Sequence, residues 1–352
     1  MTNTMADIPY WSMVPSFTSD PKDRNLVSTV ARTFSGLGQG IITVATPIIL
    51  PLLSKGTDEY VTDKGYSASG FSKWAGICAI LLVAFSVICV LSTKEKNVVY
   101  GEKTKFSFKK IFSVVAAGAI GFGIVVVFMI FAMLSNAGWY LTSGTTVYYF
   151  SDVLGKPTAQ SAFSMVGAIG SVAGLFVIPI LSKWLNKKQI YQVSLIATFI
   201  GYILMYITGP VLKNTTALSI CYIISSTGIA SMFVSQTIFL ADIVDYGEYK
   251  NGERNESITF SMKGFLQKMA YTIQTIFLFG GLAIVNYSDQ VNNGRVFNDT
   301  TKSAIGLICF GIPAILIAVS FVVFTKKFKL HGELADKVHD HIVGKRNSEK
   351  EQ

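Results

Sequence analysis

The sequence predicts an all-α membrane protein whose chain crosses the bilayer many times. Residues of the types AVILMFWYC make up 51% of its 352 residues, and 30 glycines raise the apolar share to about 60%, above that of soluble domains. Eight stretches of 20 or more residues contain no Asp, Glu, Lys or Arg. A charge-free, largely apolar stretch of this length is typical of a helix that spans hydrocarbon. Eight of them predict a polytopic protein.

The same observations exclude several other classes of protein. A transmembrane β-barrel is built from short alternating segments of about ten residues, unlike these continuous apolar stretches. Nucleic-acid binding is a poor explanation of the net charge of +9, because the basic residues are divided among short loops. No nucleophile–base pair and no HExxH motif is present, so an enzyme is not expected. The 4 cysteines lack CxxC spacing, so no tightly bound zinc or iron–sulfur cofactor is expected.

The predicted helices are the charge-free stretches, which in chain order are 33–54, 74–93, 111–151, 157–182, 189–212, 214–241, 269–288 and 303–325. Residues 1–17 precede the first basic loop and are too few to cross about 30 Å of hydrocarbon. We expect them to be the end of a helix whose beginning is missing. The expected total is one partial and eight full transmembrane helices. The spacing Gly170-x₃-Gly174 predicts close helix packing.

The stretch 111–151 is long enough for one extended helix or for two spans, and the basic residues decide between them. With one span, 20 Lys and Arg residues fall on one side of the membrane and 7 on the other. A division into two spans would move the three lysines of 183–188 to the sparsely charged side. Because cytoplasmic loops are enriched in basic residues, we expect one span and a cytoplasmic C-terminus.

Two charged segments lie outside the predicted spans. Residues 94–110 contain six lysines and indicate a cytoplasmic connection between two helical bundles. Residues 326–352 form a charged cytoplasmic tail that contains His331, His339 and His341. No cysteine or carboxylate cage accompanies these histidines, so a solvated tail is a better interpretation than a metal site.

Asp7 is the first of several ionisable residues expected at membrane depth, where each costs roughly 2.5–3.5 kcal/mol to insert. It lies 13 residues before Asp20 of the first cytoplasmic loop, near the middle of the membrane. Thr4, Asp7 and Trp11 share one helix face. An acid and an aromatic ring suit a sugar, and acid and hydroxyl oxygens suit Na⁺ or H⁺. The alternative is that Asp7 is hydrated near a frayed N-terminus.

Basic residues at membrane depth give a second set of candidates. Arg32 opens the first span, and its long side chain either binds a ligand or extends to the cytoplasmic interface. Lys268 lies 12 residues beyond Glu256, about 18 Å along a helix, too deep to reach the interface easily. It requires a polar cavity or an acidic partner such as Asp7. Lys263 is shallower and about 140° away around the helix, which favours a cytoplasmic-facing role.

Two motifs connect these residues to a known family. DIPYWSMVPSFTSDPKDR at 7–24 and ADIVDYGEYKNGERNES at 241–257, followed by Lys268, resemble the glycoside–pentoside–hexuronide:cation symporters of the major facilitator superfamily. The resemblance extends over essentially the whole chain. It implies a sugar carrier with twelve helices in two bundles, alternating access, and Na⁺, Li⁺ or H⁺ as the coupling ion. Aligned on the motifs, 1–93 is a remnant of the N-terminal bundle and 111–325 is the six-helix C-terminal bundle.

The resemblance also implies roles for individual residues. Asp7 would contribute to both the cation and the sugar site, and Thr4 to the cation site. The other residues implied in sugar binding are Trp11, Arg32, Lys268, Phe233, which stands where the melibiose permease of that family has a tryptophan, and Gln236. The residues implied in gating, through ion pairs at the cytoplasmic side, are Asp242, Asp245, Tyr246, Glu248 and Arg254.

Departures from the family pattern leave the sugar and the ion open. The acids that the family carries on its first and second helices have no counterpart in this sequence. The missing helices belong to another chain or to an upstream continuation, and without them we expect insertion but no accumulation of sugar. Two other interpretations stay open: a truncated or non-coupled transporter-like protein (facilitator, sensor or gene remnant), and a lysolipid carrier. The expected partners are the lipid bilayer and a small sugar, in the cell membrane of a bacterium.

Overall fold

The structure is a computed structural model that describes residues 34, 38, 40–42, 45–46, 48–54, 67–92, 123–157, 159–251, 256–294, 296–328, 330, 334, 337–338 and 341. The chain divides into two compact units, Met1–Phe108 and Lys109–Gln352. Residues 93–122, which include the predicted connection at 94–110, lie outside the described residues. The proposed division into bundles therefore stays a prediction.

The first unit is described mainly by helix α1 (Ala68–Ser92) and by helical residues 48–54. The Ser67 hydroxyl accepts a hydrogen bond from Gly70 N at 2.9 Å, as a serine at a helix N-terminus commonly does. The Ser67 amide in turn donates to Ser54 Oγ at 3.0 Å. These two hydroxyls connect the preceding helical segment to the beginning of α1.

The second unit contains eight further α-helices within its described residues: α2 (Gly123–Tyr148), α3 (Ala159–Leu181), α4 (Lys187–Tyr206), α5 (Thr215–Asn251), α6 (Glu256–Ile284), α7 (Tyr287–Asn292), α8 (Asp299–Gly306) and α9 (Ile312–Lys327). Three π-helical turns continue α2, α4 and α8: Tyr149–Val153, Ile207–Val211 and Leu307–Gly311. All regular secondary structure in the described residues is helical, so the prediction of an all-α protein is confirmed.

Six of the described helical segments are long and apolar enough to cross a membrane: Ala68–Ser92, Gly123–Val153, Ala159–Leu181, Lys187–Val211, Thr215–Lys250 and Asp299–Lys327. Of the predicted span 33–54, 14 residues are described, and all of them are helical. The predicted span 269–288 falls mostly within α6, which has 29 residues but contains no stretch as apolar as those of the six. Gln267, Lys268 and Gln274 lower the hydropathy of this helix, which distinguishes it from the six.

Close packing of small residues holds α5 against both α3 and α4. The Thr227 hydroxyl donates to Gly170 O at 2.9 Å, and the Ser231 hydroxyl donates to Gly174 O at 2.9 Å. Glycines let the two backbones approach closely enough for these bonds, which van der Waals packing reinforces in lipid. The packing predicted from the Gly170-x₃-Gly174 spacing is therefore present, and α5 is its partner.

Helix α2 packs against two other helices, α6 and α9. Fully buried aromatic rings fill its contact with α4 and α9; Phe131 lies 4.9 Å from Phe324 and 5.3 Å from Tyr191, between ring centroids. Aromatic pairs at these distances add about 0.5–1.5 kcal/mol each beyond area burial. Helix α2 is thus placed between α6 on one side and the α4–α9 core on the other.

Candidate functional site

The described residues include some of the predicted site residues and not others. Lys268 lies on α6, and Phe233, Gln236, Asp242, Asp245, Tyr246 and Glu248 lie on α5. The remaining predicted site residues are outside the described residues: Thr4, Asp7, Trp11, Arg32 and Arg254. The geometry below therefore concerns the described residues of the second unit alone.

Lys268 begins a polar face on α6. Its side chain is exposed, and Thr272 and Thr275 follow it at i+4 and i+7, also exposed. The Thr272 hydroxyl donates to Lys268 O at 3.0 Å, and the Thr275 hydroxyl donates to Tyr271 O at 2.9 Å. Both hydroxyl oxygens retain lone pairs that can accept a hydrogen bond from a ligand. A lysine at this depth is costly in lipid, so this face is suited to a polar cavity.

An aromatic cluster of four rings adjoins the polar face; its members are Trp139, Tyr140, Phe233 and Tyr271. The Tyr271 ring, three residues after Lys268, stacks on Tyr140 with centroids 3.8 Å apart. The Trp139 ring centroid lies 4.8 Å from that of Tyr140, with the two rings tilted, and 5.2 Å from that of Phe233, with the two rings edge to face. Tyr271 is 45% exposed in this unit, whereas Tyr140 is buried. The cluster therefore connects α5, α2 and α6 and presents one tyrosine beside Lys268.

Three members of the aromatic cluster were missed by reasoning from the sequence. Tyr271 had a usable signal, because it lies one helical turn beyond Lys268 and shares its side of α6. Trp139 and Tyr140 had none, since they lie within a long charge-free stretch rich in other aromatic residues. Only the packing of α2 against α6 brings them to Tyr271.

Gln236 lies inside the bundle, with 5% of its surface exposed. Its Nε2 donates to Ser135 Oγ at 3.0 Å and to Tyr191 OH at 3.2 Å. Ser135 is on α2 and Tyr191 is on α4, so one amide connects three helices. We call these three residues, Gln236, Ser135 and Tyr191, the amide node.

The four described gating residues, Asp242, Asp245, Tyr246 and Glu248, lie at the end of α5 that the charge pattern assigns to the cytoplasm. Lys187 Nζ donates to both carboxylate oxygens of Asp242, at 2.8 and 2.9 Å. The lysine side chain is 61% exposed and the aspartate side chain 24%. Glu248 is buried. The Lys187–Asp242 ion pair thus connects the start of α4 with the cytoplasmic part of α5.

Carboxylates elsewhere do not form a metal site in the described residues, where no group of three or more His, Cys, Asp and Glu side chains is placed to hold a metal ion. Asp152, at the far end of α2, is buried and accepts hydrogen bonds from Tyr287 OH at 2.6 Å and Ser151 Oγ at 3.1 Å. These bonds stabilise the contact between the π-helical turn after α2 and α7.

Comparison with known proteins identifies the family. The family model described as MFS/sugar transport protein matches residues 1–331. The chain belongs to this family. The MFS sugar transport family consists of transporters and not enzymes, and its members cross the membrane several times. The resemblance to the glycoside–pentoside–hexuronide carriers, inferred from two motifs, is confirmed at the level of the family.

Several curated relatives of this MFS sugar transport protein carry the names of sugars. It is 26% identical to the lactose permease of Leuconostoc lactis over 348 residues, which cover 97% of this chain and 51% of that protein. It is 23% identical to the raffinose carrier protein of Pediococcus pentosaceus, covering 93% of this chain and 49% of the relative. For the isoprimeverose transporter of Lactiplantibacillus pentosus the identity is 26%, with 88% and 63% covered. The chain spans about half the length of the lactose permeases it matches.

Proposed function

We propose that this chain binds a glycoside, pentoside or hexuronide sugar and contributes to its cation-coupled symport by alternating access. The observation that carries the proposal is the polar face of α6 beside the aromatic cluster. Lys268, Thr272 and Thr275 offer one cationic donor and two hydroxyls to a sugar, while Tyr271 offers an aromatic surface. This combination suits a ring with hydroxyl groups on its edge and C–H groups on its face.

The remaining parts of the proposed site lie outside the described residues. Asp7, Trp11 and Arg32 are proposed to complete the sugar site, and Asp7 with Thr4 to bind the coupling ion, Na⁺, Li⁺ or H⁺. A relative in Escherichia coli (strain K12), 24% identical over 328 residues, is named a putative glycoside/cation symporter, which supports the coupling to a cation.

Transport in membrane vesicles tests the proposed function. Labelled glycosides are presented to vesicles that contain the full chain, with an imposed Na⁺ or H⁺ gradient or with none. When the N-terminal helices of a relative are supplied together with the chain, we expect accumulation that requires one of the two gradients. Uptake that only equilibrates, together with counterflow without a gradient, would indicate a facilitator and contradict coupling. Binding that lysolipids displace and glycosides do not would contradict the sugar site altogether.

Removal of the Tyr271 ring is expected to weaken sugar binding. Tyr271→Ala should raise the dissociation constant about two- to tenfold, because one stacked aromatic contact is worth roughly 0.5–1.5 kcal/mol. Tyr271→Phe keeps the ring and should stay within about twofold of the original protein. Isothermal calorimetry with a glycoside gives both values. Phe277→Ala is the matched control, since Phe277 is an exposed ring on the opposite side of α6 from the polar face.

Exchange of the charges of Lys187 and Asp242 tests the proposed gate. Lys187→Asp and Asp242→Lys each place like charges opposite one another, and each should slow uptake about two- to fivefold. The effect is modest because both side chains are partly exposed and exposed pairs contribute little. The double variant restores the pair and should restore the rate. A double variant as slow as the single variants would show that the ion pair has no part in transport.

A further inference from the structure

The amide node joins three helices at one point in the bundle. Gln236 comes from α5, Ser135 from α2 and Tyr191 from α4, and both hydroxyl-bearing residues are fully buried. Ser135 Oγ also lies 3.5 Å from Tyr191 OH. Side-chain hydrogen bonds between membrane helices are typically worth about 0.6 kcal/mol each. The bonds of the node therefore do more to set the arrangement of the three helices than to stabilise the fold.

The chemistry of the node requires a donor at position 236. The Ser135 hydroxyl donates its hydrogen to Phe131 O at 2.8 Å, within its own helix. Its oxygen is therefore left as an acceptor, and the Gln236 amide donates a hydrogen bond to it. An apolar side chain of the same shape would remove the bonds without placing a charge in the bundle.

The amide node and the aromatic cluster both have residues on α5 and on α2. On each of these helices, the residue of the node lies one turn from the residue of the cluster. Gln236 is three residues after Phe233 on α5, and Ser135 is four residues before Trp139 on α2. Residues at these spacings share a helix face. A hydrogen bond between Gln236 and Ser135 thus fixes the register in which Phe233 meets Trp139.

We infer that Gln236 is a positioning residue for the aromatic cluster and not a ligand of the sugar. It acts through Ser135 and Tyr191 to hold α5 against α2, so that Phe233 and Trp139 stay in contact and support the Tyr140–Tyr271 stack. This inference rests on the proposed function, and it replaces the direct sugar contact that family resemblance implies for Gln236. Its 5% exposure and its bonds to both hydroxyls support the assignment.

A positioning residue and a ligand differ in their response to sugar analogues. In the full chain, Gln236→Met should weaken the binding of a glycoside and of each of its monodeoxy analogues by the same factor, roughly three- to tenfold. A direct ligand would lose affinity for the parent sugar but not for the analogue that lacks its partner hydroxyl. Selective loss of this kind would overturn the inference.

A background without the acceptors gives a second test. In the double variant Ser135→Ala with Tyr191→Phe, the amide has lost both of its partners in the node. Adding Gln236→Met to this double variant should cause no further loss of sugar affinity, since the two hydroxyls through which Gln236 acts are already absent. A further loss as large as in the original protein would show that Gln236 contacts the sugar.

Fluorescence of Trp139 tests the node without any sugar. The chain has 4 tryptophans, so replacing Trp11, Trp74 and Trp184 by Phe leaves Trp139 as the reporter. Gln236→Met should shift its emission to the red as water reaches the loosened contact. The matched control is Gln192→Met, which removes a bond of 3.1 Å to Thr325 between α4 and α9 and should leave emission unchanged.

The two readouts separate failure of the inference from failure of the proposed function. If no glycoside binds the original chain, the proposed function is wrong, and the emission of Trp139 alone decides the role of Gln236. A red shift with Gln236→Met but not with Gln192→Met supports positioning. Equal shifts in both variants, or no shift in either, contradict it.

Discussion

Replacement of Lys268 by methionine is expected to abolish sugar uptake and to weaken sugar binding on the order of 10- to 100-fold, because hydrogen bonds from a charged donor are the stronger ones. Methionine keeps most of the length of the side chain and removes the charge. Insertion into the membrane should be unchanged or improved, since a lysine at this depth opposes insertion. Uptake into vesicles and the amount of protein in the membrane fraction measure the two effects separately.

A matched control for Lys268 is Lys327→Met, at the basic end of α9, where the lysine is exposed. This variant loses the same charge away from the candidate site and should transport normally. If Lys268 instead serves as the structural partner of Asp7, Lys268→Met should reduce the folded amount of protein, and adding Asp7→Asn should restore it. Uptake at the original level in Lys268→Met would contradict the assignment of this residue.

A side chain at Gly201 is expected to separate α4 from α5 and to destabilise the bundle. A Cβ atom at this position would lie 2.6 Å from Ser225 N and 2.8 Å from Ser225 Cα, both in the backbone of α5. Backbone atoms cannot rotate away as the end of a side chain can. We expect Gly201→Val to lower the free energy of unfolding by about 3 kcal/mol or more, because overpacking at a rigid contact moves whole helices.

Thermal unfolding in detergent measures the effect of Gly201→Val. In a background in which Cys78, Cys89 and Cys221 are replaced by serine, a thiol-reactive fluorescent dye reports the temperature at which the fully buried Cys309 becomes accessible. The matched control is Gly280→Val, since a Cβ atom there would meet nothing within 4 Å. An equal fall in the unfolding temperature of both variants would show a general cost of valine for glycine, and would contradict the close approach of α4 and α5.

The pattern of charges along the chain was sufficient to predict most of the described helices. Charges are expensive in hydrocarbon wherever they occur, so α2 and α3 lie within stretches that lack them, and α4 and α9 do so except for two lysines at one end of each. The depth of Lys268 followed from the rise per residue of a helix. Helix α6 was predicted as a span like the others, although its polar residues lower its hydropathy and suit a cavity-facing helix better.

Helix contacts were harder to predict, because a membrane removes the usual signal. In a soluble bundle, polar residues mark the outer face of each helix and apolar residues the inner face. In lipid both faces are apolar, and small residues and shape decide which face packs. Gly170-x₃-Gly174 therefore showed that α3 packs closely but not that Thr227 and Ser231 of α5 are its partners.

The sequence by itself determined an all-α polytopic protein, the family to which it belongs, and the residues whose charge is costly at membrane depth. These properties depend on the residues of one segment at a time, so the amino-acid sequence of that segment is enough to predict them. The tertiary structure alone decided that Trp139 and Tyr140 meet Phe233 and Tyr271, and that Gln236 faces Ser135 and Tyr191 inside the bundle. Those contacts join positions far apart in the chain, and they depend on how each helix is rotated about its axis, which packing sets and hydropathy does not.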